Sequence, residues 1–250
     1  MKKTMVVRPD QMPDWLEKVA KLFKEIFQQL WRGLLEPGKG LTLEQVQMFV
    51  EHRNPFAKIV LKGVDQFAEL KASWQIFYQE CLGMKVDFSN FSIPKCPGPG
   101  WRLLIIAQGI LPEQVFQAMK NFFRVWKYSD KSLNDLVVRN ERDPKDSSYA
   151  IWVRDVREAD EVHKNKSANR VKDENLSTET LSERLVHEFK YFRETGKHLD
   201  VNNVTLCSGS RFTDGHVPSV HWHRFSDGLD VYWYHPDVAV GVLRSRETVS

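Results

Sequence analysis

The chain has 250 residues, 42% hydrophobic and 12% aromatic, which is ample apolar material for one large packed domain or two small ones. Its 36 basic and 33 acidic residues are interspersed and leave a net charge of +3, too balanced for the electrostatic footprint of a nucleic-acid-binding protein. No stretch is apolar for long enough to span a bilayer, no signal-peptide core follows Lys2 and Lys3, and Cys81, Cys96 and Cys207 lack metal-ligand spacing, so a soluble, reduced, cytoplasmic chain is expected.

From Pro13 to Leu35 the apolar residues Trp15, Leu16, Val19, Leu22, Phe23, Ile26, Phe27, Leu30 and Leu34 recur at helical spacing, with lysines between them. Pro37-Gly38 ends that helix, Thr42 and Gln45 open another over Leu43 to His52, and a third is predicted over Val64 to Leu82. The third carries Phe67, Leu70, Trp74, Phe77, Tyr78 and Cys81 on one side and Gly83 as its C-terminal cap. Val86 to Phe91 alternates like a strand, and the Pro/Gly-rich segment Pro94 to Gly100 reads as a boundary.

Trp101 to Ala107 is a continuous apolar run with the character of a buried strand, repeated at Tyr149 to Val153. Pro112 marks the first turn of a helix predicted to reach about Lys127. Ser129 to Ser148 and Glu158 to Asn175 read as surface connections, and the charges Glu158, Asp160, Glu161, Lys164, Lys166, Arg170 and Lys172 as a solvated surface. Leu181, Leu185, Val186, Phe189 and Phe192 give a further helix between the capping pair Thr180/Glu183 and Gly196.

Beyond Val204 the period becomes two. Val204 and Leu206, Val220 and Trp222, and Val231 and Trp233 mark three antiparallel strands, with Asp214-Gly215 and Asp227-Gly228 as turns. Strand alternation places Val220, Trp222, Val231 and Trp233 in the core and turns His221, His223, Tyr232 and Tyr234 outward. Arg224, Phe225, Ser226, His235, Asp237, Val238, Val240 and Val242 complete the expected ligand-binding surface in the adjoining turns. Tyr offers rigid contact area there, while Ser, His and Asp supply adaptable hydrogen bonds.

Composition distinguishes this segment. After Asn203 the chain has no Asn and no Lys, although both are plentiful before it. Their codons begin with two adenines, and the residues found instead include those reached when adenines of an asparagine codon are replaced. The segments Leu206-Cys-Ser-Gly-Ser-Arg211, Trp233-Tyr234, Pro236-Asp237 and Leu243-Arg-Ser-Arg246 through Ser250 resemble the variable proteins of diversity-generating retroelements in bacteria with small genomes. The resemblance extends upstream through Val50 to Pro55, Tyr149 to Asp155 and Phe189 to Asp200. It implies a C-type-lectin-like C-terminus that displays diversified side chains on an invariant scaffold.

The residues support no catalytic constellation. Cys207, Ser208 and Ser210 lack a nucleophile elbow, so Cys207 is expected to be buried and Gly209 to serve a turn or bulge. His221 and His223 share a face, with His216, His235 or Asp214 as a third metal ligand, but a pair without a firm third ligand falls short of a metal site.

The expectation is therefore an α+β fold: a helical subdomain over 1–93 bracing an α/β scaffold over 94–200 and an antiparallel β module over 201–250. Its function is non-enzymatic binding of a protein or glycan, with no cofactor and no metal. The alternative from another class is nucleic-acid binding by the basic N-terminal helix through Lys2, Lys3, Lys18, Lys21, Lys24, Arg32 and Trp31.

Overall fold

The computed structural model describes residues 66–250 and, before them, Lys21, Phe23 to Glu25, Phe27, Gln28, Trp31 and Arg32. Those earlier residues are helical, as their spacing predicts, with Phe23, Phe27 and Trp31 exposed. The remainder of that helix, and the helix expected over 43–52, lie outside the described residues. Two compact units divide the chain at 65/66. The expected boundaries at 93/94 and 200/201 separate nothing within the second unit, because Trp74, Ile105, Phe189 and Trp222 belong to one core.

Helix α1 (Ala68–Leu82) buries Trp74, Phe77, Tyr78 and Cys81, at helical spacing, and ends at Gly83 with φ 65°. Leu70, expected on the same side, is exposed. No strand forms over 86–91: Asp87 Oδ1 accepts the Ser89 amide at 2.8 Å, a local turn that competes with a ladder, and Phe88 is buried from a loop. Strand β1 (Trp101–Ile106) pairs antiparallel with β4 (Tyr149–Arg154), burying Leu103 to Ile106 and Ala150 to Val153.

Helix α2 (Pro112–Met119) begins with its proline and stops well short of Lys127. Val125–Lys127 instead forms strand β2, and the Phe123 ring packs among Phe189, Phe192 and Trp222. The two surface connections are also more ordered than expected. Within 129–148 lie α3 (Leu133–Leu136), which buries both leucines, and β3 (Val137–Asn140). Within 158–175 lie a 3-10 turn, Glu161–His163, and α4 (Ala168–Asp173). Asp160 and His163 are buried there, and Asp160 accepts the Glu247 amide at 2.7 Å.

Helix α5 (Leu181–Thr195) has the expected capping box and a left-handed cap at Gly196. It contacts α2, β1 and a strand of the second sheet. That sheet holds β5 (Val204–Leu206), β7 (Val217–His223), β8 (Gly228–Tyr234) and β9 (Leu243–Arg244) in the order β2-β8-β7-β5-β9. The β5/β7 and β7/β8 pairs are antiparallel as expected, while β2/β8 and β5/β9 are parallel, so the module is mixed. Strand β6 (Ser210–Phe212) pairs with β3, and β10 (Thr248–Val249) returns to the first sheet beside β4. The fold is α+β.

Buried charge joins these parts. The Asp200 carboxylate receives Arg184 of α5 at 2.8 and 3.0 Å, Arg246 at 2.6 Å and the Thr205 hydroxyl of β5. Arg184 also donates to Glu188 at 3.0 Å, and Arg246 to the carbonyls of Val156 and Arg157 at 3.1 and 2.8 Å. Burial alone would raise the pKa of Asp200, but Arg246 and then Arg184 hold it down to about 2. Cys207 is buried, as expected. Gly209 is explained by space, since a Cβ there would lie 2.8 Å from the Thr178 carbonyl oxygen.

Asp200→Asn leaves two buried guanidiniums short of a countercharge and should cost about 3–5 kcal/mol in urea unfolding. Because the folded pKa of Asp200 lies below its unfolded value, its contribution is complete above about pH 4 and is lost as pH falls towards 2. The acid limb of a melting-temperature profile should accordingly flatten over that window in the variant. Gly209→Ala should cost about 1–3 kcal/mol by overpacking, read from the same unfolding curves.

Candidate binding surface

The β7/β8 register sets Val220 opposite Val231, Trp222 opposite Leu229, Ser219 opposite Tyr232 and His221 opposite Asp230. Since side chains alternate along a strand, Val220, Trp222, Leu229 and Val231 point one way and Ser219, His221, His223, Asp230 and Tyr232 the other. The first set lies in the core: Trp222 stacks on His198 with ring centroids 3.3 Å apart, and His198 stacks in turn on Phe192 at 4.9 Å. Trp233, expected in the core, is half-buried at its margin, where His216 packs on it at 4.0 Å.

The opposite face is covered at one end and open at the other. Ala168 of α4 packs with Leu206 and Val217, and Tyr234 lies against them, so Tyr234 serves packing more than display. Away from that cluster, Tyr232 is 42% exposed and stacks on Trp126 of β2 at 6.2 Å, itself 47% exposed. His221 is half-buried, and its Nδ1 has no hydrogen-bond partner, nor has the buried Ser219 Oγ on the same face. Burial lowers the pKa of His221, with Asp230 opposing, and burial raises that of Asp230, with His221 and His223 opposing.

The remaining expected residues occupy two edges. At the hairpin, His223 Nδ1 meets Ser226 Oγ at 2.8 Å, Arg224 donates to Asn202, and Phe225 is 97% exposed. His235, Asp237, Val238, Val240 and Val242 lie in the connection from β8 to β9. Strand β9 is parallel to β5, and β5 lies beyond β7 from β8 with the same direction as β8, so this connection must carry the chain back along the sheet. The Asn169 amide donates to the Pro236 carbonyl at 3.1 Å and its side chain to Asp237, which places the connection on the side covered by α4. His235, Asp237, Val240 and Val242 are exposed and Val238 is half-buried. Of the twelve residues, His221, His223, Tyr232 and Tyr234 share one face, Tyr234 within a packed cluster, while Arg224 to Ser226 and His235 to Val242 lie at opposite ends of the β7/β8 pair.

Three members of this face escaped the sequence reading. Ser219 and Asp230 follow from the same alternation that selects His221 and Tyr232. Trp126 was placed in a helix, although the Val125-Trp-Lys127 sequence favours a strand once an edge is available for it. Among the described residues, no group of three His, Cys, Asp or Glu side chains is arranged to hold a metal ion. His223 already engages Ser226, and His216 lies against Trp233, so the proposed third ligand does not join the His221/His223 pair.

The chain matches no family model, no curated protein and no solved structure.

Truncating an outward residue should be nearly silent for stability. His221→Ala and Tyr232→Ala are each expected to stay within about 0.5 kcal/mol of the parent, against about 3–5 kcal/mol for Trp222→Ala. Chemical unfolding of the three variants measures this, and equal losses at all three would contradict a displayed face.

Proposed function

We propose that this chain is a non-catalytic binding protein whose outward β7/β8 face and rim form a diversified recognition surface, as in the variable proteins of diversity-generating retroelements. The observation that carries the reading is a division of labour within one short segment. Arg244, Ser245 and Arg246 are buried and hydrogen-bonded into the frame, whereas Phe225, Tyr232, Val240 and Val242 are exposed large side chains. A segment with neither Asn nor Lys therefore contains both a fixed frame and side chains that the frame does not use. Under this reading, a C-type-lectin-like organisation of the C-terminal module would supply the fixed frame.

A surface of tyrosine, tryptophan, histidine and aspartate suits a protein or glycan ligand: aromatic faces give contact area, and His221 and Asp230 offer directional bonds. Among the described residues no helix is long and apolar enough to cross a membrane. Of the residues behind the nucleic-acid alternative, Lys21, Lys24, Trp31 and Arg32 are helical and exposed, Lys2, Lys3 and Lys18 lie outside the described residues, and exposure alone does not favour that reading over a solvated face.

Sequencing the DNA beside the gene tests the proposal. A near-copy of the codons for His221 to Val242, carrying adenines at the positions that differ and lying beside a reverse-transcriptase gene, is the expected result. Without such a copy, or with differences that ignore adenines, the retroelement reading fails.

A further inference from the structure

The two-stranded pair β3/β6 sets Arg139 directly opposite Arg211. Like charges facing each other across an antiparallel pair are destabilising. Neither guanidinium meets a carboxylate at ion-pair distance among the described residues. Arg211 is partly buried, and its Nη1 donates to the carbonyls of Ser208 and Ser210, both at 2.8 Å, leaving Nε and Nη2 unused. Burial, with Arg139 next, draws its pKa below the usual guanidinium range.

Both arginines line a pocket of about 120 Å³, together with Lys172 of α4 and with Ser208, Gly209 and Ser210. Glu141 is the one carboxylate in that lining, so three cations face a single anion. Asn169, also at the wall, already spends its side chain on Asp237. Elsewhere the described part of the protein pairs its buried arginines closely: Arg184 and Arg246 share Asp200, and Arg142 holds Glu183. Half-buried Arg211 departs from that practice, and Arg139 opposite it is exposed and lines the same pocket.

We propose that this pocket binds a tetrahedral oxyanion, either inorganic phosphate or the phosphate group of a monoester. Guanidinium forks match phosphate oxygens, and an anion seated between them turns a repulsive pair into two charge-assisted contacts. The cationic side chains of the lining come from three elements, β3, β6 and α4, and a phosphate group has enough acceptor oxygens to meet all three. The residues belong to the scaffold and lie upstream of His221, so this site does not depend on the recognition surface proposed above.

Calorimetric titration of the full chain with inorganic phosphate and, separately, with glycerol phosphate at constant ionic strength tests the site, with acetate as the control. The Arg139→Gln variant is the informative one, because the Arg139 side chain makes no hydrogen bond within the described residues. It should melt at or above the parent temperature without ligand, since repulsion is relieved, yet bind phosphate at least tenfold more weakly. Lys172→Gln should weaken binding in the same direction without loss of fold. Binding of the monoester as tightly as phosphate assigns the pocket to a phosphorylated ligand, and binding of phosphate alone assigns it to the free ion. No heat with either, unchanged affinity in Arg139→Gln, or acetate bound as tightly as phosphate would overturn the proposal.

Discussion

The fold depends on one carboxylate. Asp200 sits between α5 and β5, and its partners come from three separate places in the chain: Arg184, Thr205 and Arg246. Its backbone contributes as well, with the amide donating to the Arg157 carbonyl and the carbonyl accepting from Trp222. A buried charge is tolerated only when its partners are in place, so these contacts form together or the region stays open. Balance is achieved locally, Arg184 and Arg246 facing Asp200 and Glu188. Glu188 extends the network to His198, which stacks beneath Trp222. The polar centre thereby fixes the ring on which Trp222 of β7 rests.

That arrangement separates stability from display. The inner face of β7 and β8 meets Phe123, Phe192 and His198, while one end of the outer face is covered by α4. Side chains that alternate along one strand therefore live under different rules: Trp222 answers to packing and His221 to whatever lies outside. A second buried cluster, next in sequence to Arg184, anchors the first turn of α5. There Glu183 closes the capping box with Thr180 and also receives Arg142 and the Tyr149 hydroxyl.

What could be read from the sequence was local. The spacing of Trp74, Phe77 and Tyr78, the apolar run of β1, the Thr180/Glu183 box and the alternation of β7 and β8 each concern neighbours within a few residues, and each appears where expected. Features missed were those settled by distant partners. The segment 125–127 becomes a strand because β8 offers it an edge. Asp160 reads as solvated charge until the Glu247 amide, far along the chain, is brought to it. The binding face was legible as far as alternation carries, through His221, His223 and Tyr232, whereas Trp126 joined it only through the parallel pairing.

The position of β10 has a consequence for how faulty copies of this chain are handled. The last strand and Arg246 follow the exposed connection, so any chain terminated within 221–242 lacks both the second arginine of Asp200 and the strand beside β4. A folded domain is stable by only about 5–15 kcal/mol, and a buried carboxylate left half-compensated removes a large share of that. Prematurely stopped products would thus remain open to proteolysis. Placing the lock behind the exposed stretch makes folding itself a check that the whole segment has been translated.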